Sequence, residues 1–328
     1  MNTFFLQLSP HLYGMRGITD ESTEYYIFEE AFMTKEDTRN NTADEECKKE
    51  CSSCPTASTC ASAHSGQNLP QRADVDVRHV IMVLSGKGGV GKSTVSVNLA
   101  YSLSNHGFRV GLLDLDMHGP NIPKMLGIED HKLTVIGDLI EPVHVTGKLS
   151  VMSMAFLLPE TSTPIIWRGP MKMAAIQQFL KEVNWGALDY LVVDLPPGTG
   201  DEALTIAQIA PNLSGAVIVT TPQDVATLDA RKSVKFIQKL EVPVLGIIEN
   251  MSGMVCPHCG EEIDLFGKGG GKKIAEELKV PYLGSIPLDI DMRKAGDEGR
   301  PFIIRRGNSP TWATVDKVME ALIKVVEG

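Results

Sequence analysis

The segment VIMVLSGKGGVGKST at 80–94 sets an apolar run, a glycine-rich loop and a helix start in immediate succession. No other stretch narrows the possible folds so far. It fits G-x4-G-K-[ST] with Gly86, Gly91, Lys92 and Ser93, the pattern of a phosphate-binding loop between a strand and a helix. Glycines let the backbone turn sharply and bring successive N–H groups, here over Gly88, Gly89, Val90 and Gly91 to Thr94, against phosphate oxygens. The N-terminus of the following helix favours the same anion. Lys92 is expected to reach the β- and γ-phosphates, and the Ser93 hydroxyl to ligate Mg²⁺.

A phosphate loop of this kind belongs in an α/β sheet, and the rest of the pattern agrees. From His79 onward, short β-branched runs at 80–85, 110–115, 149–154, 190–195, 216–221, 244–250 and 282–286 alternate with amphipathic segments at 93–106, 171–183, 226–240 and 272–278. Continuously apolar strands linked by helices predict a doubly wound, mainly parallel sheet covered on both faces, closed by a last helix at about 312–326. Residues 1–75 read differently. They are polar and turn-rich, without a sustained period, and are expected to form a flexible, mostly irregular extension around a cysteine cluster, ahead of a nucleotide-binding domain at 76–328. Residues 1–32 are richer in aromatics than the rest of that arm, so Met33 is an alternative translation start to Met1.

Composition excludes some roles. A net charge of −10 and a pI near 5.3 argue against bulk attraction to nucleic acid or anionic lipid. The first residues lack a basic n-region, and no run approaches the roughly 18 apolar residues of a membrane span. A cytoplasmic protein is the expectation.

A second lysine, Lys87, directly follows the first glycine. With it, GKGGVGKST resembles the deviant two-lysine loop of the MinD, ParA and nitrogenase iron-protein class. That resemblance implies an extra lysine that crosses a dimer interface to the partner's nucleotide, where a cation neutralises charge on the transferring phosphoryl group. Two strands end in acids, LLDLDMHGPN at Asp114 and Asp116 and LVVDLPPGTGD at Asp194, at the edge where α/β proteins bind ligands. The resemblance implies that Asp116 positions the attacking water and that Asp114 supports Mg²⁺ or that water. It further implies that Asp194 holds Mg²⁺ through a water and that Gly198 offers its N–H to the γ-phosphate. Asn250, after VLGIIEN, matches the position where relatives hydrogen-bond the base, with Pro287 flanking it. The cluster FGKGGGKK at 266–273 looks like a second phosphate loop. It lacks a glycine five residues before Gly271 and a Ser or Thr after Lys272, and reads as a flexible helix start.

The six cysteines fall in two groups, Cys47, Cys51, Cys54 and Cys60, then Cys256 and Cys259. In a chain without an export signal such spacings read as metal or cluster ligands before disulfides. MVCPHCGEEI lets two sulfurs face one metal, which is half of a four-ligand site. Either the N-terminal group C-x3-C-x2-C-x5-C completes it or a second copy of the chain does. The second copy is favoured, because the N-terminal four can hold a cluster by themselves. From spacing, zinc and an iron–sulfur cluster are equal candidates, and His258 between the cysteines reads as a solvent-facing turn residue before it reads as an alternative ligand.

The motifs GKGGVGKST, DLDMHGPN, WRGPM, VVDLPPGTGD, ENMSGMVCPHCG and SIPLDIDMRKAGDEGRPF together resemble the Mrp/ApbC family of iron–sulfur cluster carrier ATPases over three quarters of the chain. The resemblance implies a homodimer that hydrolyses ATP slowly, assembles a labile [4Fe-4S] cluster between subunits and hands it to apo-proteins. Longer family members carry an N-terminal cluster, and Cys51, Cys54 and Cys60 match that extension while Cys47 lies nearer than its usual first cysteine. WRGPM, from Trp167 to Met171, reads either as a client or dimer surface or as a core tryptophan beside a helix started by Pro170. Three rivals stand beside this reading: a MinD- or ParA-like positioning ATPase with structural zinc, an ATP-driven iron–sulfur reductase, and a zinc-stapled binding module. The first needs a membrane-binding tail or a basic face, which TWATVDKVMEALIKVVEG does not supply. The second is expected to have its two ligand cysteines far apart.

Overall fold

A computed structural model of the chain describes residues 72–117, 119–157, 169–304 and 310–328. Its centre is an eight-stranded sheet in the order β12-β9-β8-β1-β7-β2-β6-β5. In chain order these strands are β1 (Val77–Ser85), β2 (Val110–Asp114), β5 (Val143–Thr146), β6 (Leu149–Ser153), β7 (Leu188–Asp194), β8 (Leu213–Thr220), β9 (Val244–Asn250) and β12 (Tyr282–Ile286). All neighbours pair in parallel except β5, which runs antiparallel to β6 at one edge. All seven strands expected from the apolar runs are present.

The middle strands are buried on both faces, as their unbroken hydrophobic runs require. In β1 every residue from Val80 to Ser85 is buried, and β2 is buried throughout. Helices cover the two faces: α1 (Lys92–Asn105), α2 (Ile122–Leu126), α3 (Gly169–Lys181), α4 (Asp201–Ile209), α5 (Asp224–Lys239), α6 (Gly270–Leu278), α7 (Ile290–Asp297) and α8 (Pro310–Glu327). Sequence patterning anticipated α1, α3, α5, α6 and α8. It passed over α2, α4 and α7, of 5, 9 and 8 residues. Two small hairpins, β3 (Thr134–Ile136) with β4 (Leu139–Glu141) and β10 (Met254–Val255) with β11 (Glu262–Ile263), also lie outside the expected set. Upstream of β1, Ala73 is buried and its N–H donates to the Ile209 carbonyl at 2.8 Å.

Strand order reverses beside β1. The chain leaves β1 through α1 to reach β2 on one side, while β8 and β9 build out on the other. Open α/β sheets bind ligands at such a point, outside the carboxyl ends of the strands. Gly86, Asp114, Asp194 and Asn250 all stand at those ends.

The phosphate-loop helix α1 is held from behind. Its side chains from Val95 to Leu103 are all buried, so it packs as an inner layer and not as an amphipathic surface helix. Among its buried polar side chains, with Ser96 and Ser102, is Asn98, 3% exposed. Its Oδ1 accepts the Ile303 N–H at 3.0 Å and its Nδ2 donates to the Thr94 carbonyl at 2.8 Å. Trp312 Nε1 in turn donates to the Ile303 carbonyl, joining α8 to the same turn. Replacement Asn98→Ala leaves the buried Ile303 N–H without its acceptor. The expected loss is about 1–3 kcal/mol of stability, read from the urea midpoint.

Candidate nucleotide site and cysteine knuckle

The loop after β1 wraps a cavity of about 640 Å³ at the carboxyl edge. Its floor includes Gly88, Gly89, Gly91, Lys92, Ser93 and Thr94, and its walls include Asp116, Asn250 and Pro287. Nine of the residues expected from sequence to hold nucleotide thus meet around one space. Gly86, Lys87, Val90, Asp114, Asp194 and Gly198 lie outside the lining.

Asp194, fully buried at the end of β7, organises the floor. Its Oδ2 accepts from Lys92 Nζ at 2.6 Å and Ser93 Oγ at 2.7 Å, and its Oδ1 from Ser96 Oγ at 2.6 Å. Lys92 is itself only 6% exposed, and Asp116 Oδ2 lies 3.9 Å from its Nζ. Buried charges are tolerated when paired and hydrogen-bonded, and here each is. Asp114, also fully buried, accepts the Asp116 N–H at 3.1 Å and the Ser153 Oγ–H at 2.8 Å. Burial, then the nearby Asp194 charge, pushes its carboxyl up to about 7.

Two glycines of the loop are dictated by neighbours. A Cβ on Gly86 would lie 2.4 Å from the Asp229 carbonyl carbon, so only glycine lets α5 approach the loop. Gly91 has φ 83° and a Cβ there would meet Asn250 Nδ2 at 2.2 Å. Asn250 donates through that nitrogen to the Val90 carbonyl at 2.9 Å, so it braces the loop as well as lining the cavity. Gly198, at φ 102°, donates its N–H to the Ser85 carbonyl at 2.8 Å, and that bond must open before the group can face a phosphate. Ser85 Oγ donates to the Lys87 carbonyl at 2.9 Å.

The far wall was not foreseen. Asn121, Lys124 and Met125 around α2 and Asp289, Met292 and Arg293 around α7 complete the cavity. The Asp289 carboxylate caps α7 by accepting the N–H groups of Asp291 and Met292, a signal legible as an Asp before a helix start.

Cys256 and Cys259 stand at the tip of the β10–β11 hairpin. Cys256 N–H donates to the Glu261 carbonyl and Gly260 N–H to the Cys256 carbonyl, closing a tight turn. The N–H groups of Cys259 and His258, then the Cys259 thiol, donate toward the Cys256 sulfur and hold its thiol below the ordinary range. Both thiols are free and reachable from solvent. Among the described residues no group of three or more His, Cys, Asp or Glu side chains is placed to hold a metal. Cys47, Cys51, Cys54 and Cys60 lie outside the described residues, as does Trp167. Gly169 and Pro170 open α3, in line with the helix-start reading of that motif.

The cluster 266–273 is a built anchor and not a flexible helix start. Glu249, fully buried in β9, accepts the Gly269 N–H at 2.8 Å and the Gly271 N–H at 2.5 Å. These amides at the start of α6 therefore already hold an anion.

Sheet order, loop and cavity define a nucleotide-binding P-loop NTPase. The model of the NUBPL iron-transfer P-loop NTPases matches residues 76–323. An iron-sulfur cluster carrier protein of Methanocaldococcus jannaschii is 48% identical over 287 residues, covering 86% of this chain and 98% of that relative. A cytosolic Fe-S cluster assembly factor NUBP2 homolog of Nematostella vectensis is 48% identical, over 74% of this chain and 92% of its own length. Among solved structures, a nucleotide-binding protein of Archaeoglobus fulgidus in complex with ADP is 40% identical, with a TM-score of 0.62 over 73% of this chain and 91% of its own. The MinD cell division protein of Aquifex aeolicus shares the fold at 21% identity, with a TM-score of 0.54 over 75% of this chain and 97% of its own. The chain belongs to the NUBPL iron-transfer P-loop NTPase family.

The contact at Gly86 yields a direct test. Gly86→Ala forces the Asp229 backbone and the loop apart, and ADP binding measured by calorimetry is expected to fall at least about tenfold, or 1.4 kcal/mol. Unchanged affinity would show that α5 gives way freely.

Proposed function

We propose that the protein is an ATP-dependent carrier that binds a labile [4Fe-4S] cluster between two copies of the chain and transfers it to apo-proteins. The observation that carries this reading is the half-site. Two solvent-facing thiols sit on a preformed knuckle, with N–H groups aimed at Cys256, on the same body as a P-loop cavity. A four-thiolate cluster needs two more ligands, which a symmetry-related Cys256 and Cys259 supply. The names of the relatives as iron–sulfur carriers or assembly factors support the cargo. Zinc on the same knuckle is the second reading, favoured by the tight CPHCG turn. A cluster held by Cys47, Cys51, Cys54 and Cys60 belongs to the proposal by sequence alone.

At the nucleotide, Lys92 and the loop amides bind phosphate, and Asn250 and Pro287 flank the base. Ser93 and Asp194 are the groups to hold Mg²⁺, which would offset phosphate charge. Asp116, which lines the cavity, orients the water that attacks the γ-phosphorus, giving ADP and phosphate; Asp114 fixes Asp116 through its N–H. Lys87, outside its own cavity, is free to serve the partner's nucleotide in a closed dimer, the role its position implies. No helix among the described residues is long and apolar enough to cross a membrane, in keeping with a proposed cytoplasmic site of action.

Anaerobic reconstitution with iron and sulfide, followed by Mössbauer spectroscopy and mass measurement, tests the cargo. Wild type is expected to bind about four iron per dimer at the knuckle, and Cys256→Ala to lose them with its fold intact. Full iron and sulfide content in that variant, or zinc alone under oxygen-free conditions, overturns the assignment. Lys92→Ala is expected to abolish nucleotide binding and to cost about 3–5 kcal/mol by leaving Asp194 without its counter-charge. Undiminished cluster transfer in cells by that variant would refute the coupling to ATP.

A further inference from the structure

The cysteine-bearing loop is fastened at both ends to one side chain. It leaves β9 at Met251 and returns at Gly269. Glu249 Oε1 accepts from Ser252 Oγ at 2.6 Å at the outgoing end and from Gly269 N–H at 2.8 Å at the returning end. Ser252 N–H also donates to the Ile286 carbonyl, and the Gly253 carbonyl accepts from Leu288 N–H, tying the outgoing end to β12. Between these ends the loop is braced. The β10–β11 hairpin closes it, and Lys268 Nζ lies 2.5 Å from Glu262 Oε1 across it.

Two apolar side chains of this loop, Met251 and Phe266, line the nucleotide cavity beside Asn250 and Pro287. Met251 adopts φ 58°, in the left-handed region that a side chain of its size rarely occupies. Strain of that kind persists only where surrounding structure imposes it, and it clusters at functional sites. An aromatic ring and a thioether next to a strand-end Asn make a surface suited to the flat face of a purine.

We propose that Phe266 and Met251 bear directly on the bound nucleotide, so that the loop carrying Cys256 and Cys259 is itself a wall of the nucleotide site. Glu249 is the positioning residue that makes the loop move as one piece. A braced loop pinned at its base responds to a ligand pressing on Phe266 by shifting its tip, where the thiols sit. Nucleotide and thiol geometry are then linked with no intervening relay, and the linkage is reciprocal. This inference rests on the proposed use of the thiol pair for cargo, which it supplies with a route of control.

The test uses the full chain, reduced and free of iron, with alkylation of Cys256 and Cys259 by iodoacetamide followed peptide by peptide. Saturating Mg-ADP is expected to change the rate at Cys259 by about fivefold or more. In Phe266→Ala, ADP is expected to bind about tenfold more weakly, and at saturation to leave the alkylation rate unchanged. Phe266→Leu should restore part of the response, which a merely structural role would not require. Glu249→Gln, which sets an amide N–H₂ against backbone donors, is expected to speed alkylation at both thiols without nucleotide. Equal rates with and without ADP in wild type, or a wild-type response in Phe266→Ala, would overturn the proposal. Since no iron is present, the result stands apart from the cargo assignment: a knuckle that takes only zinc on reconstitution can still give the full ADP response.

Discussion

The site is organised by one buried carboxylate. Asp194 sits at the end of a central strand with no exposure, and water cannot solvate it. It must be satisfied by protein groups, and the sequence provides them on one helix turn: Lys92, Ser93 and Ser96 all donate to it. That arrangement sets the position of α1 relative to β7, and with it the direction in which the loop amides point. The cost of stripping a carboxylate and an ammonium of water is several kcal/mol each, so the pair persists only because its geometry is complete. Two of these donors, Lys92 and Ser93, are the groups a phosphate loop requires. Structural satisfaction and nucleotide chemistry therefore overlap in these two side chains.

The second constraint is topological. β9 ends beside the phosphate loop, and its last residues, Glu249 and Asn250, face in two chemical directions. Asn250 braces the loop through the Val90 carbonyl, while Glu249 gathers the ends of the cysteine loop. Adjacent residues of a strand point to opposite faces, so one strand end serves two partners without conflict. The knuckle is thereby set next to the nucleotide cavity by the sheet itself, and not by a linker whose geometry would vary.

Much of this was legible in the sequence, for identifiable reasons. Strands buried on both faces write themselves as unbroken apolar runs, and all seven were readable. The edge strand β5, VHVT, is too short and polar to stand out, and the β10–β11 pairing involves only two residues on each side. The loop residues Gly86, Gly91, Lys92 and Ser93 announce themselves by spacing, and Asp116, Asn250 and Pro287 by their place after strands. The wall formed by Lys124, Met292 and Arg293 could not be read, since it depends on two short helices packing across the cavity. Glu249 was equally hidden. Its meaning comes from backbone amides twenty residues onward, and a carboxylate in the strand VLGIIEN carries no local mark of that bond.

The two glycine clusters show what composition cannot decide. GKGGVGKST and FGKGGGKK both put glycines and lysines at a helix start, where N–H groups and the helix dipole favour an anion. In the first, the nearest buried acid, Asp194, binds the lysine and serine side chains and leaves the loop lining an open cavity. In the second, Glu249 reaches the amides themselves, taking up Gly269 and Gly271 N–H. The first helix start is thus left open and the second filled, according to which groups the neighbouring strand-end carboxyl meets, side chains or the amides themselves. Where it is filled, the helix start becomes a fixed point, and the chain uses that fixed point to seat its cysteines.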